Sequence, residues 1–161
     1  NTRLFYVFTA KIIETHQTNH ALLAAFMPLV MATGGTVGIQ AGTLVIRALT
    51  IGGLQPREIP IVLWKEIRIS LGLAVVLSAI IFVEAFMIGG AEEGAMLLSL
   101  CAAMSLAMIV TVAATSLFGS AIPLIAQRLG RDPAMVSGPA ITALADLSGA
   151  TVYLSIVAAV L

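Results

Sequence analysis

Cysteine occurs once in 161 residues, at Cys101, and Asp, Glu, Lys and Arg together make up only 10% of the chain and cancel to zero net charge. A lone cysteine excludes a disulfide framework and every multi-cysteine metal site. Without a surplus of Lys and Arg there is nothing to neutralise a phosphate backbone, so a nucleic-acid binder is excluded as well. Soluble domains carry about a quarter of their residues charged in order to hold a surface in water. This chain falls far short of that. Catalytic signatures are also missing: there is no HExxH pair and no GxxxxGK[ST] phosphate loop. The two histidines, His16 and His20, lie in an early polar stretch and not beside a serine in an apolar run. No enzyme is expected.

What remains is apolar. Hydrophobic residues make up 60% of the chain and mean hydropathy is +1.08. A membrane-spanning helix needs roughly 20 apolar residues, about 30 Å at about 1.5 Å per residue. No charge interrupts Ala21 to Ile46, Ile69 to Val83 or Gly94 to Gln127, and between Pro133 and Leu161 the one charge is Asp146. Gly- and Pro-bearing connectors separate these runs at 52–60 (GGLQPREIP), 89–94 (GGAEEG) and 128–133 (RLGRDP). Period-two alternation is absent and lipid admits only helices or closed barrels, so an all-α integral membrane bundle is predicted. Asn1 to Glu14 is apolar at helical spacing but too short to span, and it lacks the marks of a signal peptide. It reads as the end of a helix that begins before Asn1. The expectation is one transmembrane domain over 1–161 with five helices, roughly 1–16, 21–50, 58–88, 93–128 and 132–161, the first truncated.

Basic residues in short connectors mark the cytoplasmic side. The stretch from 47 to 68, which holds the first connector, carries Arg47, Arg57, Lys65 and Arg68, and the last connector carries Arg128 and Arg131, whereas Glu92 and Glu93 stand without a basic neighbour. The first and third connectors are therefore predicted inside and the second outside, as for a multi-pass protein of the cell (inner or plasma) membrane.

Two segments carry features beyond a plain span. In PLVMATGGTVGIQAGTLVIR (28–47), Gly34, Gly38 and Gly42 repeat every fourth residue, a small-residue stripe that lets another backbone come close. Thr36, Gln40, Thr43 and Arg47 form a polar line on another face. Pro28 with Gly34 and Gly35 would permit a kink that turns carbonyl oxygens toward a cavity. Close helix packing explains the same glycines, and both readings stand. The last segment, SGPAITALADLSGATVYL, places Asp146 in mid-span with Gly138, Thr142, Gly149 and Tyr153 on its stripe. A carboxylate at that depth costs about 2.5–3.5 kcal/mol on insertion scales, so it must face protein, water or a cation. No Lys or Arg shares its depth. A divalent cation with hard oxygen ligands would satisfy it, and Mg²⁺ keeps several waters while using one or two carboxylates. A homodimer with the last helix at its two-fold axis would supply two. The plainer reading is an interhelical hydrogen bond.

Other polar residues carry less. Glu92 and Glu93 could concentrate cations at an outer mouth or simply solvate a turn, and Glu14 follows Lys11 at ion-pair spacing. His16 and His20 have metal-ligand spacing but lie at a helix exit, Glu84 can reach the interface, and Cys101 reads as a small core residue.

The runs MATGGTVGIQAGTLVIRAL and RLGRDPAMVSGPAITALADLSGATVYL resemble the MgtE family of magnesium channels over nearly the whole chain. That resemblance implies a five-helix transmembrane domain working as a homodimer, with a pore on the two-fold axis lined by the second and fifth helices. It implies that Asp146 is the ion-selectivity residue, with Gly138 and Thr142 near the hydrated ion. Gly34, Gly35 and Gly38 fall on the family's glycine cluster and, with Thr36, Gln40 and Gly149, are expected to line the pore. Glu14, Glu92 and Glu93 are candidates for its outer mouth. Thr36 stands where the family pattern has Asn, and Gly138 where some members have Asn, which leaves the carboxylate and backbone oxygens as ligands. The cargo implied is Mg²⁺, with Mn²⁺ or Co²⁺ as surrogates; the partners are a second copy, membrane lipid and a cytoplasmic regulatory domain not found in this chain. The alternatives are an ion-coupled secondary transporter of another divalent cation and a membrane assembly protein that transports nothing.

Overall fold

The computed structural model describes residues 20–52, 58–88 and 94–160. Four helices account for nearly all of them: α1 (His20–Gly52), α2 (Ile59–Ile88), α3 (Gly94–Arg128) and α4 (Pro133–Val160). All four are long and apolar enough to cross a membrane, so the chain is a multi-pass membrane protein. The expected count of five is corrected to four among the described residues. The helix expected over 1–16 lies outside them.

The third helix is the hub. It packs against α4, α1 and α2, whereas α1 and α2 barely meet. A row at every fourth residue of α3 is buried from end to end: Ala103, Ala107, Thr111, Thr115, Gly119 and Pro123. These are mostly small residues, and in lipid small residues are what allow helices to pack closely, because there is no hydrophobic gain in hiding one apolar side chain from another. The second helix rests on α3 through one stripe, Ser70, Ala74, Ser78, Ile81 and Ala85. Two polar contacts fasten it: Ser70 Oγ lies 2.6 Å from Ser116 Oγ, and Ser105 Oγ donates to the Ser78 carbonyl at 3.1 Å.

A four-residue turn sets α3 and α4 side by side. Gly130 has φ +68°, a left-handed conformation that carries little strain only without a Cβ. Around it, Arg131 N donates to Ala126 O at 2.9 Å and Gly130 N to Gln127 O at 3.0 Å, closing the end of α3 in a Schellman turn. Asp132 Oδ1 then accepts from Ala134 N at 2.9 Å, capping α4, and Pro133 occupies the first helical position, where no donor is needed. At the opposite end, Tyr153 Oη donates to Leu23 O at 2.8 Å, tying the end of α4 to the start of α1. Leu23, Phe26, Met27 and Val30 pack there with Ala150, Leu154 and Val157 in one apolar cluster.

Candidate intramembrane ion site

Gly34, Gly38 and Gly42 all face inward. A Cβ on Gly34 would sit 2.7 Å from Thr111 Cγ2, one on Gly38 2.9 Å from the Thr115 carbonyl oxygen, and one on Gly42 2.6 Å from Ile141 Cδ1. Gly119 answers from α3: its Cβ would run into the Gly38 backbone. Thus α1 and α3 touch backbone to backbone. Gly149 is buried too, its hydrogen side against Met31 and the Thr111 methyl. Thr111 itself is fully buried and its hydroxyl has no hydrogen-bond partner. The first helix stays helical straight through Gly34 and Gly35.

The polar line of α1 lies on the other side. At about 100° per residue, Thr36, Gln40, Thr43 and Arg47 point roughly opposite the glycine stripe. All four are exposed. Thr36 and Thr43 return their hydroxyls to the carbonyls four residues back, Ala32 and Ile39, each at 2.9 Å. Gly35 lies between the two faces, half-buried, where its Cβ would be 3.9 Å from that of Ala145 on α4.

That contact brings α1 alongside the turn that carries Asp146. The carboxylate has about 20 Å of helix on each side, the depth of a bilayer centre. It is exposed, as is Thr142, whose hydroxyl donates to Gly138 O at 3.1 Å. Gly138 is half-buried, with no atom within 4 Å of where its Cβ would stand. Gly138, Thr142 and Asp146 therefore share one open strip of α4. The strip closes immediately beyond: Ala150, Tyr153 and Val157, four, seven and eleven residues past Asp146, are all buried. Along this strip Asp146 thus sits at the boundary between an open stretch and a covered one. No group of three or more His, Cys, Asp or Glu is poised to hold a metal among the described residues. Glu14, Glu92 and Glu93 lie outside those residues.

Sequence reasoning overlooked the α3 side of the glycine contact. The signal was available, since Thr111, Thr115 and Gly119 repeat the four-residue spacing of Gly34, Gly38 and Gly42.

Among the described residues this is an all-helical multi-pass membrane protein, with a carboxylate near the middle of its last helix that the other described helices leave uncovered. The comparisons narrow that class. The profile of the MgtE family, described as divalent cation transporter, matches residues 27–156. The chain belongs to that family. It is 37% identical over 83% of its length to the magnesium transporter MgtE of Thermus thermophilus, of which it covers 28%. To the Bacillus subtilis protein of the same name it is 33% identical, covering 85% of this chain and 29% of the relative. To the one from Enterococcus faecalis it is 28% identical, covering 92% and 32%. The chain spans about a third or less of these curated relatives.

Proposed function

We propose that this chain forms the membrane pathway of a magnesium transporter, with Asp146 as the residue that holds the ion. The observation that carries the reading is the Asp146 carboxylate, at bilayer mid-depth and uncovered by the other described helices. Left against lipid tails it would cost about 2.5–3.5 kcal/mol or more, so its stable partner is a cation, water or a second copy. A single carboxylate is too little to hold a bare divalent ion, and no group of three or more His, Cys, Asp or Glu forms among the described residues. Two copies related by a two-fold axis would present two carboxylates to one ion that keeps most of its water, the habit of Mg²⁺. In this arrangement the open strip of Gly138, Thr142 and Asp146 lines the path, with Gly35, Thr36 and Gln40 beside it. Gly34, Gly38 and Gly149 hold α1, α3 and α4 close enough to keep its shape. Glu14, Glu92 and Glu93 would draw cations to the outer mouth. Transport runs down the membrane potential, which favours inward movement of a divalent charge by about 4.6 kcal/mol per 100 mV.

The test is Mg²⁺ uptake into proteoliposomes under an imposed potential, parent against Asp146→Ala, at equal reconstitution and with dimer content measured by crosslinking. Uptake in the parent and its loss in the variant is the expected result. Equal uptake in both would make Asp146 structural. Uptake that collapses when a proton or Na⁺ gradient is removed, the potential being held, would replace the passive pathway with a coupled one.

A further inference from the structure

The charge-free centre of α2 runs from Ile69 to Val83, yet the helix starts at Ile59. Its 30 residues reach about 45 Å, against a hydrocarbon core of about 30 Å, so its first turns stand in the headgroup region. Ile61, Trp64, Lys65, Arg68 and Ile69 line an open cavity of about 500 Å³ there. Their spacing (i, i+3, i+4, i+7, i+8) puts them on one helix face. Every one of them is exposed, Trp64 at 62%. No other described helix covers this face, because α2 leans on α3 through its opposite stripe.

We propose that this face binds an anionic glycerophospholipid. The headgroup phosphate would lie between Lys65 and Arg68, the start of an acyl chain along Ile69, one residue deeper, and the Trp64 ring at the headgroup level. Each part answers one part of the lipid. Two cations three residues apart match a net negative headgroup and repel the choline of a neutral one. Exposed Ile69 below them meets chains that no soluble ligand offers, and tryptophan prefers the depth where one side is wet and the other apolar. The basic connectors place this end on the cytoplasmic side, where anionic lipid is abundant. An acidic protein segment would match the cations but leave Ile69 facing lipid.

Trp64 is the chain's only tryptophan, so its fluorescence reports this face alone. The chain is reconstituted in phosphatidylcholine vesicles containing either brominated phosphatidylglycerol or brominated phosphatidylcholine at equal mole fraction, and quenching is measured. Phosphatidylglycerol should be preferred by about fivefold for each basic side chain engaged. That preference should fall to near one in K65Q/R68Q and survive inorganic phosphate in the buffer. Equal quenching by the two lipids in the parent overturns the proposal and leaves the face to an acidic protein partner. A preference that persists in K65Q/R68Q, or that inorganic phosphate abolishes, overturns it as well, the latter pointing to a free phosphate site.

Discussion

Gly119→Ala puts a methyl group into the tightest contact in the bundle. Its Cβ would lie 2.8 Å from the Gly38 carbonyl carbon and 3.0 Å from the Gly38 Cα, with the carbonyl oxygen nearer still. Carbon atoms rest at about 3.5–4.0 Å, so α1 and α3 must part by at least about half an ångström. Nothing can rotate away, because the obstacle is backbone. Overpacking typically costs about 1–3 kcal/mol, and separating the helices also loosens the neighbouring contacts of Gly34 and Gly42, so a loss of about 3 kcal/mol is expected. For a chain of this size each kcal/mol moves the melting temperature by about 2–4 °C, which gives a drop of about 6–12 °C. Cys101 supplies the readout: it is the single thiol and fully buried, so a thiol-reactive fluorophore labels it only as the bundle opens on heating. Scan rate must be held fixed, since labelling makes the transition irreversible. Gly42→Ala should cost less, because its methyl would press mainly on the mobile end of Ile141. Gly72→Ala, with nothing within 4 Å, should melt at or slightly above the parent, alanine being about 0.5–1 kcal/mol better inside a helix. A Gly119→Ala protein melting within about 2 °C of the parent, or a Gly72→Ala protein falling equally far, would refute the reasoning.

Two further perturbations use the same assay. Ser70→Ala or Ser116→Ala alone should cost about 1 kcal/mol or somewhat more, since each leaves a buried hydroxyl without its 2.6 Å partner; the double variant should be less destabilised than the sum, and additive losses would mean the pair contributes nothing. Asp132→Ala removes the cap on Ala134 N and should lower stability by about 1 kcal/mol, with Asp132→Asn largely restoring it; equal loss in both variants would assign the effect to charge and not to the cap.

Membrane character and helical architecture were legible because both depend on composition summed along the chain. Charge-free runs long enough for a bilayer can be counted residue by residue, and in lipid a helix is the form that satisfies its own backbone. The same counting was less secure near the N-terminus, where a short apolar set was expected to complete a fifth helix. The α3–α4 turn was also local: RLGRDP contains the left-handed glycine, the cap and the proline that the turn requires. Asp146 stood out because it is the one charge between Pro133 and Leu161, and a lone acid in such a run demands explanation whatever surrounds it.

Which face of each helix is buried was decided by the tertiary structure. In a soluble helix the polar side marks the surface, but these helices are apolar almost all round, and lipid supplies no driving force to hide one apolar face in preference to another. Sequence therefore left Gly34, Gly38 and Gly42 open to two readings, a pore wall or a packing stripe. In the fold they lie against Thr111, Thr115 and Gly119, while Thr36 and Gln40 lie exposed on the other side of α1. The hub role of α3, the single stripe on which α2 rests and the uncovered strip around Asp146 arise in the same way. They depend on where small residues of one helix meet those of another, and only the folded chain brings those residues together.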